Sequence, residues 1–336
     1  MRSVRGGWSR MVVLLCCLLV GQAGLYAQSR QRYEYEHRQM GTRFRLTFYA
    51  EDDSVAARAA AAAPARIDTL NARLSDYRLD SELSRLSAQA GRGRGVPVSD
   101  DLWRVLSRAQ EIAIASRGAF DISIGPLSKL WRRAFRRQTF PGWDRLDEAR
   151  RTVGYRWIER RPERQAINLR RSGMRLDAGG IAKGYAVDEA MTALRAHGIE
   201  RALIDGGGDL LAADAPPGKE GWRILLKTAG ADGALRDSIV LLRRNALATS
   251  GDTYRYLQWE GQRYSHIIDP RSGLGVRHRA LVSVRCPSCT TADALASAIS
   301  VLGPAGEWRA LLRRYPACRA RLLVPVAADR YQLLIE

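Results

Sequence analysis

Residues 176–190 read LDAGGIAKGYAVDEA. The segment opens with Asp177 and the pair Gly179-Gly180. From Ala182 the apolar spacing is that of an amphipathic helix, which runs past Leu194 and stops at Gly198. A glycine turn at a helix start has two physical consequences. Glycine lacks Cβ and lets another group approach the backbone. The unpaired N–H groups of the first turn favour an anion. Lys183 adds a mobile positive charge one turn in. The chain holds only four lysines (Lys129, Lys183, Lys219, Lys227) against fifty arginines, so a lysine at this point is the less incidental choice. The combination suits a phosphate or pyrophosphate. The plainer alternative is a strand-to-helix turn that needs glycine for packing.

Outward from this turn, helices and strands mix without strict alternation. Residues 43–50 (RFRLTFYA) place Phe44, Leu46 and Phe48 on one face of a half-buried strand. An alanine-rich helix, interrupted at Pro64, follows towards Leu74. Ser99 can cap a helix through Ser116, with Leu102, Val105, Leu106, Ala109, Ile112 and Ala113 on one face and Gly118 as its stop. Beyond the glycine turn, Ala202-Leu203-Ile204 reads as a buried strand ending in Gly206-Gly207-Gly208. Further strands are expected at 222–227, 238–242, 281–285, 320–325 and 331–335, and a helix at 292–302. This order predicts a single α+β domain with a mixed or antiparallel sheet flanked by helices.

The first 27 residues have the make-up of a secretory signal peptide: Arg2, Arg5 and Arg10, then the apolar run Met11 to Val20, then a cleavage site before Gln28. That leaves 28–336 as the catalytic domain and predicts an exported, periplasmic or extracytoplasmic protein. An uncleaved anchor is the minority alternative. The net charge of +19 suits an anionic membrane surface or an acidic partner. The arginines are scattered, the densest run being RRAFRR at 132–137, and aromatic residues do not interleave with them on one face, so no nucleic acid is expected and these arginines read as solvated surface. Three cysteines follow the leader. Cys286 and Cys289 have the spacing of a redox pair, but a local disulfide or two incidental thiols is the preferred reading.

Four more segments complement the glycine turn: Met40-Gly-Thr, GAFDISIGPLSKLW at 118–131, Thr249-Ser-Gly-Asp252 with Ser265-His-Ile-Ile-Asp-Pro270, and TADALASAISVLG at 291–303. Asp293 and Ser297 are spaced i, i+4 and share a helix face. A carboxylate and a hydroxyl are hard oxygen donors suited to Mg²⁺. His266 lies in a polar, turn-rich stretch, and histidine as a residue type can accept a proton from a hydroxyl nucleophile.

In this order the segments resemble the FAD:protein FMN transferase family, the ApbE-type flavin transferases, from about Met40 to Gly303. The resemblance implies an exported α+β protein that cleaves FAD, attaches FMN to a threonine or serine of an acceptor flavoprotein through a phosphoester, releases AMP and requires Mg²⁺. It implies that Met40 and Tyr77 line the flavin site. Ala119, Phe120 and Asp121 would contact FAD, Asp121 towards the adenosine end. Asp177 and Lys183 would bind FAD around its phosphates or sugars, and Ile268 would pack on the flavin. The Gly180 carbonyl, Asp293 and Ser297 would hold Mg²⁺, and His266 would deprotonate the acceptor. The family usually has threonine where this chain has Ser297. The acceptor would be an exported flavoprotein such as a subunit of a membrane electron-transfer complex. The alternatives are an FAD pyrophosphatase using the same site, a non-catalytic FAD carrier, and a thiol oxidoreductase built on Cys286 and Cys289.

Overall fold

The alternation of Phe44, Leu46 and Phe48, all fully buried, builds the strand Thr42–Ala50. It is the second of eight strands whose order across the sheet is their order in the chain: Gln31–Gln39, Thr42–Ala50, Ala202–Gly206, Asp209–Ala212, Asn245–Gly251, Leu281–Cys286, Arg319–Ala327 and Arg330–Ile335. Every neighbouring pair is antiparallel. The computed structural model describes residues 30–251 and 256–336; the leader and Asp252 lie outside them. The α+β expectation is borne out, and of the two sheet types allowed for it the antiparallel one is found.

The sheet begins earlier than the sequence reading places it. Gln31–Gln39 pairs with Thr42–Ala50 in a hairpin whose two-residue loop is Met40-Gly41, with φ of 53° and 72°. Two-residue hairpin loops require positive φ at the central positions, which explains the glycine of Met-Gly-Thr. Charged residues alternate with Tyr33 and Tyr35 in that first strand, and its half-buried face gave no strong apolar signal.

The helix Asp53–Leu74 runs through Pro64 rather than being interrupted by it. Proline removes one backbone hydrogen bond, but Ala56, Ala59, Ala63, Ile67, Leu70 and Leu74 bury one continuous face on both sides of it. The other main helices are Asp100–Ala115, capped by Ser99, then Gly125–Arg137, Ala182–Ala196 and Cys289–Leu302.

The cysteines correct the sequence reading. Cys286 bonds to Cys318, which immediately precedes the neighbouring strand Arg319–Ala327, and Cys289 is a buried free thiol. Cys286 ends a strand facing its neighbour, whereas Cys289 has already entered the next helix. Complete burial, followed by the charges of Asp209 and Asp188, pushes the Cys289 thiol up. That is the reverse of what a reactive redox thiol needs.

Candidate active site

The helices Ala182–Ala196 and Cys289–Leu302 are joined at two points. Asp188 accepts hydrogen bonds from Ser288 Oγ and from the backbone N–H groups of Cys289 and Thr290, at 2.8–2.9 Å. It thereby satisfies donors that a helix start leaves unpaired. Asp293 answers from the other side: its Oδ2 accepts the Gly184 N–H at 3.1 Å. Part of the anion-binding capacity expected of the glycine turn is thus met by a carboxylate of the protein itself. Gly184 is glycine for packing, since a Cβ there would fall 2.4 Å from the Cys289 carbonyl oxygen.

Around this junction the sequence-predicted residues converge. Lys183 Nζ lies 3.8 Å from Asp293 Oδ2 and pairs directly with Asp209. Burial draws the Lys183 ammonium down, but Asp293 and Asp209 outweigh it and the net shift is upward. Burial together with the charge of Asp293 pushes Asp209 up to about 7, against the pull of Lys183. A Cβ on Gly180 would fall 2.9 Å from Ser297 Oγ and 3.2 Å from the Phe120 ring. Gly180 and Ser297 therefore meet at a small cradle beside Phe120 that only glycine leaves open, with Asp293 one helical turn before Ser297. A carbonyl, a carboxylate and a hydroxyl are the donor chemistry Mg²⁺ takes when it also keeps water and phosphate oxygens. Among the described residues no group of three or more His, Cys, Asp or Glu side chains is placed to hold a metal, so these mixed donors are what such an ion would meet.

Asp209 escaped the sequence reading. It follows the Gly206–Gly208 turn, a signal that was visible but was assigned only to the end of a strand. A Cβ on Gly207 would fall 2.1 Å from Thr42 Oγ1, so the Met40-Gly41-Thr42 turn packs against the same glycines.

A second group lies beside the first. Asp177 Oδ1 accepts the Gly179 N–H at 2.9 Å, and its Oδ2 accepts from Arg132 at 2.7 Å. Arg132 also pairs with Asp76 and stands 4.2 Å over the Tyr77 ring. Tyr77 is 75% exposed. Arg132 and Asp76 were missed because an arginine inside RRAFRR looks like surface. Asp121 is buried and turned into the protein, accepting from the Ser123 N–H and hydroxyl and from the Tyr155 N–H at 2.7–2.9 Å. Burial pushes its carboxyl up. Its side chain thus holds the 118–123 turn in shape, and that turn presents Ala119 and Phe120.

The third group is the loop after the strand Gln262–Ser265. His266 is exposed there, and Ile268 is buried among Leu127, Trp131, Leu257 and Tyr264. Between them, Ile267 packs with Ala119, Val276 and Val301. This small cluster ties the histidine loop to the 118–123 turn and to the helix of Asp293.

Known proteins resemble this chain both in sequence and in fold. The sequence model of one family, described as the ApbE family, matches residues 40–322. A FAD:protein FMN transferase of Treponema pallidum is 33% identical over 335 residues, covering 94% of this chain and 91% of that protein. One of Vibrio cholerae is 32% identical over 246 residues, covering 70% and 71%. The apo flavinyl transferase ApbE of Pseudomonas stutzeri has a TM-score of 0.80 at 27% identity, covering 91% of this chain and 95% of its own. The flavin transferase ApbE of Vibrio cholerae also reaches 0.80, at 26% identity, with 91% and 97% covered.

Proposed function

The chain belongs to the ApbE family, and from that membership we propose that it transfers FMN from FAD to a threonine or serine hydroxyl of an acceptor protein. The observation that carries this reading is the convergence of Gly180, Lys183, Asp293 and Ser297 on one cradle at a helix start. A carrier that only stored FAD would have no use for a base such as His266 together with the Asp293–Ser297 pair.

FAD would lie with its pyrophosphate against Gly179 and Gly180, where backbone approach is unobstructed. Lys183 is held in place by Asp209 and presents a cation to the phosphates. Arg132, Asp177 and Tyr77 frame the adjoining groove for the flavin half, with Met40 and Ile268 as further flavin contacts. Ala119 and Phe120 form the wall assigned to the adenosine half, and Asp121 holds that turn in shape from within. The Gly180 carbonyl, Asp293 and Ser297 would hold Mg²⁺, which would supply charge neutralisation at the pyrophosphate. His266 takes the proton from the acceptor hydroxyl as its oxygen bonds to the FMN-side phosphorus. The bond from that phosphorus to the bridging oxygen breaks, and AMP leaves with the electron pair. Positioning and charge stabilisation account for most of the catalysis, as in other phosphoryl transfers. The basic leader and the Cys286–Cys318 disulfide support an exported, oxidising location, at the membrane surface if the acceptor is a membrane-complex subunit.

The test is incubation with FAD, Mg²⁺ and a threonine-containing acceptor domain of a related flavoprotein. The reading expects an acceptor heavier by one FMN, with one AMP released per transfer. FMN and AMP beside an unmodified acceptor would make the protein a pyrophosphatase. Intact bound FAD would make it a carrier.

A further inference from the structure

His266 follows a strand, Gln262–Ser265, that pairs with Tyr256–Trp259. Tyr264 of that hairpin begins a run of touching rings leading away from the histidine. Its centroid is 5.5 Å from that of Phe140, which is 4.9 Å from Trp143 and 6.1 Å from Trp259. Buried Trp131 backs the run at 5.9 Å from Phe140 and donates Nε1–H to the Gly273 carbonyl. The outer rings are uncovered: Trp143 is 62% exposed and Trp259 39%. Immediately before them, the helix Gly125–Arg137 turns Leu127, Trp131 and Ala134 inward, and Arg133, Arg136 and Arg137 are exposed. Among the described residues no carboxylate pairs with these three arginines.

Isolated apolar side chains on a surface need no explanation, but locked tryptophans beside unpaired arginines are the composition of a protein-binding hot spot. Tryptophan stacked on a rigid neighbour loses little freedom when covered, and arginine matches a carboxylate fork. We propose that Trp143 and Trp259, rimmed by Arg133, Arg136 and Arg137, dock an acidic face of the acceptor protein and so bring its hydroxyl to His266. Trp259 lies on the hairpin that leads into His266, and the three arginines share a helix with Arg132. An acceptor seated on this surface therefore touches the elements that carry the base and Arg132. The proposal rests on the FMN-transfer reading for the identity of the partner. Charge complementarity decides its chemistry, because three unpaired guanidinium groups repel a basic partner and a second copy of this chain alike.

The probe is the same acceptor domain, titrated calorimetrically onto the full chain without FAD, so that docking is read apart from chemistry. Trp143→Ala should weaken binding roughly thirtyfold or more, the loss expected of a tryptophan hot spot. Arg136→Glu/Arg137→Glu should weaken it further at low salt, and added salt should weaken the wild type. FAD binding should stay unchanged in both variants, which shows that they fold. In turnover, KM for the acceptor should rise with kcat kept. Unchanged acceptor affinity in both variants would overturn the proposal, as would a wild type that does not bind the acceptor. So would variants that keep the acceptor but lose adhesion to phosphatidylglycerol vesicles, since the surface would then face a membrane. Docking without FMN transfer would count against the transfer reading and leave the docking surface standing.

Discussion

The site has an inner and an outer half, and they are built differently. In the inner half, Lys183 pairs with Asp209 and stands beside Asp293, and Asp188 joins the helices of Lys183 and Asp293. In the outer half, Tyr77 and His266 stand exposed, on segments held from behind by Arg132 and by the Ile267 cluster. The difference teaches a division of labour. The inner half is set before any ligand arrives, as stabilisation of a fixed charge requires. The outer half meets the variable parts, a flavin ring and a protein. Damage inside should therefore reach folding as well as chemistry, whereas damage outside should leave the fold intact.

The largest effect is expected outside. His266→Ala should lower the transfer rate by roughly 10²–10⁴-fold with FAD affinity and melting temperature unchanged. A transfer rate unaffected by the substitution would remove the histidine from the mechanism.

Cys318→Ser strikes the frame behind the inner half, at the end of the strand that leads into the Asp293 helix. The disulfide spans 32 residues, and loop-closure entropy puts its contribution at about 3–4 kcal/mol. Denaturant titration should show that loss, with FMN transfer by the folded fraction retained. A variant as stable as the wild type would show that the bond adds little to the inner frame.

Tyr77→Ala tests the outer groove. Loss of one aromatic stacking partner should weaken FAD about tenfold, readable by flavin fluorescence, with the dependence on Mg²⁺ unaltered.

The smallest effect concerns pH. Asp101 anchors the Lys183 helix through Tyr185 and through Arg66, which also holds Glu189 of that helix. Burial would raise the Asp101 carboxyl, but hydrogen bonds from Arg66 and Tyr185 and the Arg66 charge outweigh it and hold it at about 2. A carboxyl depressed in the folded state adds stability that is complete above its unfolded pKa, near 4. That stability is lost as pH falls towards 2. The melting-temperature gap between wild type and Asp101→Asn should close over that window. A gap constant with pH would mean that the carboxylate charge is not what anchors the helix.

Much of the inner half was legible in the sequence because its requirements are local. Gly180 before Lys183 and the Asp293–Ser297 spacing each sit within one turn of helix, and the structure brings them together as the periodicity implies. Asp209 and Asp188 were not legible, since their partners lie on other elements and only the fold pairs them. The outer half was harder for the same reason. Arg132 sits in a run of arginines that looks like solvated surface, yet one helical face turns it onto Asp76 and Asp177. In the fold, apolar alternation found Thr42–Ala50 but missed its half-polar hairpin partner. The cysteine spacing pointed within its own motif, although the bond crosses to Cys318, 32 residues on.

The most direct test of the two-part site is FAD binding measured with and without Mg²⁺ in wild type, Asp293→Ala and Tyr77→Ala. The account predicts that Mg²⁺ tightens FAD in the wild type and in Tyr77→Ala by the same factor, and does nothing in Asp293→Ala. An Asp293→Ala variant whose FAD affinity still responds fully to Mg²⁺ would contradict it and place the pyrophosphate outside the inner cradle.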